Sequence, residues 1–319
     1  MNYKSDKQQQ DKRVYKIPTE CAGQRIDQAL SALLPEHSRS RLQTWISSGN
    51  LLINGETRKP HSKAIGGEII TILDPTYNVE ENFTPEDIPL NVIFEDKHII
   101  VLNKPTNVVV HPASGNWSGT ILNGILHHYP GNISVPRAGI VHRLDKDTTG
   151  LMVVARNLEA QTNLVRQLQC KRVSRIYKAI VYGKTPNKGT IERPIGRHPR
   201  NRKKMGIVNT GKSATTHFNR DYGGAEWSSV TCVLETGRTH QIRVHLTSIG
   251  HPLIGDQTYS GRTKNFKKIR DITWLNRQAL HAKELSFDHP ISGSRLKFEA
   301  LVPEDLEQLE MELRETDNG

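Results

Sequence analysis

Seventeen residues near the middle of the chain, Gly139-Ile-Val-His-Arg-Leu-Asp-Lys-Asp-Thr-Thr-Gly-Leu-Met-Val-Val-Ala155, put a dense charged turn between two apolar runs. Ile140, Val141 and Leu144 on one side and Leu151 to Ala155 on the other predict buried strands that present Arg143, Asp145, Lys146 and Asp147 at their junction. A carboxylate held between buried strands is costly unless a partner neutralises it. Either a cation arrives from elsewhere in the chain, or the turn is solvated and its two acids merely balance Arg143 and Lys146.

The 319 residues are enough for a large core and more than one domain. Lys and Arg number 44 against 33 Asp and Glu, a net charge of +11. That surplus suits a polyanionic partner, and nucleic acid is the first candidate because phosphate neutralisation supplies most non-specific affinity. A membrane surface would call for an amphipathic basic helix or a lipid anchor, and no apolar run approaches the ~18 residues of a spanning helix. Met1 to Lys16 is polar without an apolar export segment, so an unexported, cytoplasmic protein with no membrane partner is expected. Cys21, Cys170 and Cys232 have neither the number nor the spacing of a disulfide framework or a zinc site.

In chain order, residues 1–20 read as a flexible basic tail. Ile26, Ala29, Leu30, Leu33 and Leu34 follow helical spacing, and Ser38 to Gly49 reads as a second short helix with a Ser cap and a terminal Gly. Leu51 to Ile53 runs into the turn signal Asn54-Gly55, and Glu68 to Ile72 supplies a later strand. These elements define a small domain over 21–74. Residues 75–89, with three prolines, read as a linker. A larger domain, 90–319, follows. Strands are expected at Val92–Phe94, Ile99–Leu102, Val108–Val110, Arg175–Tyr182, Ala214–Arg220, Trp227–Glu235 and Gln241–His245. Helices are expected at Thr120–Tyr129, Leu158–Leu168 and Glu304–Leu313. Short strands outnumber helices without alternating with them, which predicts an α+β domain with a mixed, largely antiparallel sheet and not a doubly wound one.

Gly206-Ile-Val-Asn-Thr-Gly-Lys-Ser213 satisfies the phosphate-loop pattern, but a basic run precedes it and the β-leaning Ala214 to Phe218 follows, where a buried strand and a helix are required. No nucleotide cofactor is expected. The six Lys or Arg between Arg193 and Lys204 read as a mobile phosphate-contacting loop or a merely solvated one. His240 and His245, five apart, and the adjacent His127 and His128 lack a Cys or carboxylate to complete a familiar ligand set, so no metal is expected. Arg238 follows a Gly at a probable loop in Leu234 to Leu246, where Ile242, Val244 and Leu246 alternate as one strand face. Arg suits a buried carboxylate because its planar fork makes two hydrogen bonds and stays charged. Arg238 is thus either the partner that keeps Asp145 ionised or a surface residue at a loop end.

The unit from Arg25 to about Asp74 resembles the small S4 RNA-binding domain, especially in Ser40-Arg-Leu-Gln-Thr-Trp-Ile46 and Leu52-Ile-Asn-Gly55. The resemblance implies RNA contacts from Arg39 and Arg41, which composition alone would leave as a solvated helix face. Over nearly the whole chain, His142-Arg-Leu-Asp145, Arg175-Ile-Tyr-Lys178, Gly237-Arg-Thr-His-Gln-Ile-Arg243 and Gln278-Ala-Leu-His-Ala282 resemble the motif set of the RluA-type pseudouridine synthases. That resemblance implies isomerisation of uridine within RNA without a cofactor: the N1 bond to ribose breaks, the uracil turns, and C5 bonds to the same carbon. It makes Asp145 the catalytic carboxylate, attacking the ribose carbon or taking a ribose proton. It makes Tyr177 a surface that stacks on uracil and could help remove the C5 proton, and Arg238 the partner of Asp145. Arg143 would fill the space left by the flipped base, and Leu280 would line the pocket. Lys146 and Asp147 would shape the turn. The implied partner is 23S rRNA or a large-subunit precursor, bound by a monomer, with helix 69 uridines as the target. Other uridines of that RNA are an alternative, as is a catalytically silent assembly factor.

Overall fold

A computed structural model describes residues 12–34, 37, 39–73, 83–112, 117–201, 204–261, 269 and 274–318. The chain divides into two compact units, residues 1–82 and 83–319.

In the first unit, α1 (Ile26–Leu33) and α2 (Arg39–Ser48) cover a three-stranded antiparallel sheet of β1 (Lys12–Lys16), β2 (Leu51–Ile53) and β3 (Ile69–Leu73) in the order β1-β3-β2. Ile26 and Leu30 of α1, Leu42 and Ile46 of α2, and Ile53 and Ile70 of the sheet are fully buried together. The expected Asn54-Gly55 turn is present, both residues at positive φ. Residues 12–16, expected within the flexible tail, instead form an edge strand. Arg13 and Lys16 stay exposed there, as edge strands favour, while Tyr15 packs on the core. Residues 1–11 and the expected Ser38 cap lie outside the described residues.

Asp27 of α1 is fully buried and joins the two helices. Its carboxylate accepts from Arg25 Nε (3.1 Å), Arg39 Nη2 (2.9 Å) and Gln43 Nε2. Burial by itself would raise its pKa, but the bonds from Arg25, Gln43 and Arg39 outweigh that and lower it to about 2.

The second unit is built on a nine-stranded sheet. Its strands are β4 (Val92–Glu95), β5 (Ile99–Lys104), β6 (Thr149–Ala155), β7 (Ser174–Tyr182), β8 (Lys188–Glu192), β11 (Thr215–Gly223), β12 (Trp227–Leu234), β13 (Leu280–Asp288) and β14 (Arg295–Glu299). The order is β4-β5-β6-β13-β7-β12-β11-β8, with β14 also on β13. The pairing is antiparallel except between β6 and β13, which run parallel through His281↔Thr149 and Ala282↔Gly150. The expected mixed, largely antiparallel sheet is what the residues form. A separate two-stranded ribbon pairs β9 (Ile195–Arg197) with β10 (Met205–Ile207).

Both faces of the sheet are covered, which explains why β5 and β6 are apolar throughout. Ile100, Leu102, Met152 and Val154 face α3 (Ile121–His128) and α5 (Gln241–Ser248). Ile99, Val101, Leu151 and Val153 face α4 (Leu158–Gln169), and Trp227 and Ile180 meet Leu306, Leu309 and Leu313 of α6 (Glu304–Asn318). Residues 83–88, read from sequence as part of the linker, bond to α3: Asn123 Nδ2 donates to Thr84 O (2.7 Å), and His128 Nε2 lies 2.9 Å from Ile88 O.

Three expected strands differ. Val108–Val110 contributes one bridge, Val109 to Thr120, and the run Ile140–Leu144 another, Ile140 to Val154. The third, Gln241–His245, is the start of α5. Every side chain from Gln241 to Leu246 is buried, so the apparent alternation reported no face. Ile242, Leu246 and Ile249 stand at helical spacing, and Gly250 at φ +90° ends the helix. The phosphate-loop pattern falls on β10, a turn and β11, with no helix following.

Because folded Asp27 titrates near 2 and not at its ordinary 3.8, its stabilisation is complete above 3.8 and is lost as pH falls towards 2. Asp27→Asn should flatten that acid loss and, at neutral pH, weaken the amide protection of residues 26–34 by about 1–3 kcal/mol. Hydrogen exchange in the full chain measures both, and unchanged protection would contradict the bracing role.

Candidate active site

Asp145 sits in the turn that leads into β6, at the floor of a cleft of about 760 Å³. Tyr177 of the neighbouring β7 and Leu280 at the start of β13 line the same cleft, so three adjacent strands β6, β13 and β7 deliver its inner wall. Two glycines frame the turn. A Cβ on Gly139 (φ +84°) would lie 1.8 Å from Ala155 O, and one on Gly150 (φ +114°) would lie 2.2 Å from Ala282 O, where β6 meets β13. No other residue fits either crossing.

The turn is held by its backbone. The fully buried Lys104 Nζ donates to Lys146 O (2.9 Å), Val108 O (2.9 Å) and Pro105 O (2.7 Å), which satisfies all three ammonium protons. Burial pulls its pKa down to about 7 against the attraction of Asp147 and Asp145. Arg277, paired with Asp305, reaches Asp147 O at 3.4 Å, and Gln278 Nε2 donates to Thr148 Oγ1 at 3.1 Å. His142 Nε2 accepts the Val153 N–H at 3.0 Å, and burial lowers its pKa to about 3, so it serves as a neutral acceptor.

The counter-charge of Asp145 is Arg243 of α5. Arg243 Nη1 donates to Asp145 Oδ2 at 3.0 Å, while Nε and Nη2 hold Asp256 at 2.8 and 2.9 Å. Asp256 is fully buried and also accepts the N–H groups of Thr258 (2.8 Å) and Tyr259 (3.1 Å). Burial works against the Arg243 charge, but the bonds to Asp256 and Asp145 outweigh it and hold the guanidinium protonated. Among the described residues, no hydrogen bond reaches Asp145 Oδ1, and His240 Nε2 stands 3.9 Å from it.

Arg238 is therefore not the partner of Asp145. Its Nε donates to Ser213 O (3.1 Å) and its backbone N–H to Gln241 Oε1 (2.9 Å), which leaves the side chain on the cleft wall. Once 241–248 is a helix, Arg243 points inward and Arg238 remains on the preceding loop. The signal available in the sequence was the helical spacing of Ile242, Leu246 and Ile249 before Gly250.

Arg143 is exposed and lines the cleft, as do Arg137, Lys171 and Arg175, so the cleft is rich in cations. Burial raises the Tyr177 pKa; Arg175 pulls it down and Asp145 pushes it up, and the net is a neutral phenol. Arg39 is committed to Asp27 while half-exposed. The side chain of Arg41 lies outside the described residues, as do Arg202 and Lys203 of the basic run. Arg193, Arg197, Arg200 and Lys204 of that run flank or form the ribbon of β9 and β10, which is structure where a loop was expected. Asp87 comes within 3.6 Å of His127 and 3.7 Å of His128, an exposed carboxylate beside the histidine pair that sequence spacing did not supply.

Residues 98–248 match the family model for RNA pseudouridylate synthase, and residues 24–70 match the S4 domain. The chain belongs to the RNA pseudouridylate synthase family. It is 47% identical to ribosomal large subunit pseudouridine synthase D of Pseudomonas aeruginosa over 92% of this chain and 93% of that one. It is 49% identical to the protein of the same name from Vibrio parahaemolyticus, over 92% and 91%. The fold is shared with human RNA pseudouridylate synthase domain containing 4, with a TM-score of 0.55 at 22% identity over 70% of this chain and 93% of that chain.

A lysine cannot fork to two carboxylates. Arg243→Lys should lower kcat for pseudouridine formation by about 100-fold or more, on the scale of a broken buried pair, whereas Arg238→Ala should cost less than about tenfold. Steady-state rates on RNA decide it. Equal losses from the two variants would contradict the assignment of Arg243 as the partner.

Proposed function

We propose that this chain converts uridine to pseudouridine in the RNA of the large ribosomal subunit, with Asp145 as the catalytic carboxylate. The observation that carries the reading is the ion pair at the cleft floor: Arg243 takes Asp145 Oδ2 and leaves Oδ1 facing a cleft walled by Tyr177 and Leu280. A carboxylate so held attacks the ribose carbon or accepts a ribose proton. The isomerisation balances without an added reactant, since the N1 bond breaks, C5 takes the same ribose carbon, the C5 proton leaves and N1 gains one. Tyr177 supplies a stacking face, and as a neutral phenol it offers a hydroxyl and not an anionic base.

A uridine stacked in RNA cannot reach this floor, so it must leave the stack. Arg143 at the cleft mouth is placed to occupy the gap, and the cations around it suit the displaced strand's phosphates. The substrate class follows from the names of the Pseudomonas and Vibrio relatives. Within that RNA the helix 69 stem-loop is the proposed target, by resemblance, and other uridines of the same RNA are the alternative.

Asp145→Asn should abolish tritium release from RNA labelled at uracil C5, a loss of at least ~10³-fold, while RNA affinity changes less than about threefold because binding rests on distributed phosphate contacts. Release at the parental rate would sink the assignment. Mapping pseudouridine in rRNA from cells with and without the gene identifies the uridines; an unchanged map would overturn the proposed substrate.

A further inference from the structure

His240 has no part in the mechanism above, yet the fold holds it in place firmly. It caps α5 at φ 56°, a conformation that non-glycine residues keep only where their surroundings impose it. Its ring meets Tyr259 edge-on, with 5.7 Å between centroids, and the Arg243 guanidinium lies 5.1 Å from the Tyr259 ring. The Tyr259 hydroxyl oxygen accepts the Met205 N–H at 3.0 Å and lies 2.8 Å from His240 Nδ1. Among the described residues, Nδ1 is the acceptor within reach of the phenolic proton. With Nδ1 accepting, a neutral imidazole carries its hydrogen on Nε2. Burial lowers the His240 pKa, Asp145 and Asp256 oppose this, and Arg243 and Arg143 reinforce it. The ring is therefore neutral at pH 7.

The Nε2–H lies in the cleft 3.9 Å from Asp145 Oδ1. That gap is too long for a direct hydrogen bond. A hydroxyl oxygen about 2.8 Å from both atoms would see them at an angle of about 90°, which lets it accept from one and donate to the other. Ribose offers such a hydroxyl on the carbon next to the one that exchanges N1 for C5.

We propose that His240 reads the 2′-hydroxyl of the target ribose, its Nε2–H donating to the hydroxyl oxygen while the hydroxyl donates to Asp145 Oδ1. The inference rests on Asp145 acting on a ribose, and it makes His240 the residue by which the cleft tells RNA from DNA at the reacting nucleotide. Tyr259 is a positioning residue that fixes the tautomer.

The test uses the full chain and a stem-loop RNA carrying one target uridine labelled at C5, in ribo and 2′-deoxy forms. The measured quantity is the ratio of kcat/KM for the two, which does not depend on the fraction of enzyme folded. His240→Ala should lower the ribo rate by about tenfold, the worth of one hydrogen bond, and reduce the ribo/deoxy ratio at least fivefold. His240→Gln, which keeps a donor, should hold the ratio within about twofold of the parental value. An unchanged ratio in the Ala variant, or a Gln ratio as low as that of Ala, would overturn the inference. A parental enzyme that releases no tritium from the ribo form would overturn the functional reading itself. Independently, long-range ¹H–¹⁵N spectra of histidine-labelled protein at pH 7, with His240 assigned from the Gln variant, should show the neutral Nε2–H tautomer, and Tyr259→Phe should shift the tautomer balance. An imidazolium or an Nδ1–H ring in the parental protein would refute the proposal.

Discussion

Arg243 divides one guanidinium between two acids, and the geometry of the cleft depends on that division. Asp256 is wholly buried and takes two of the donors, which fixes the plane of the fork. The remaining Nη1 can then meet Asp145 from a single direction. A cation that bonded Asp145 alone could follow the carboxylate as it moved. One anchored on Asp256 makes the carboxylate conform to it, and this is how a group on a turn acquires the precision of a group on a strand.

The turn itself is built on the same logic. Lys104, Arg277 and Gln278 grip backbone carbonyls and a threonine hydroxyl, not the charged side chains that make the segment conspicuous. Lys146 and Asp147 shape the turn mainly through their main chain, and their side chains are left to face the cleft mouth and the solvent. Glycines at 139 and 150 let two other stretches of backbone come closer than any Cβ would allow. The site is thus a backbone scaffold carrying few indispensable side chains.

Much of this was legible in the sequence because period and punctuation agreed. β6 and β7, α3 and α4, and the leucine face of α6 fall where their apolar spacing places them, and Asp145, Tyr177 and Leu280 converge on one cleft. The partner of Asp145 was misread, since a six-residue buried stretch carries apolar residues on every side and mimics two-fold alternation. Helix against strand there decides whether residue 238 or residue 243 faces inward. Asp256 and Tyr259 were hidden for another reason. Their roles exist only once a turn brings them against α5, and nothing in their own neighbourhood announces it. β1 was missed because an edge strand with basic residues toward water has the composition of a tail.

The parallel contact between β6 and β13 has a temporal meaning. The two strands touch through residues 149–150 and 281–282, with more than a hundred residues of sheet and helix between them in sequence. Loop closure over such a distance is slow, and it must follow synthesis of nearly the entire polypeptide. A nascent chain at the ribosome holds Asp145 long before it holds Gln278, Leu280 or the seat for Gly150. The carboxylate is therefore translated early and becomes competent late, so a partly made chain emerging beside ribosomal RNA is inert.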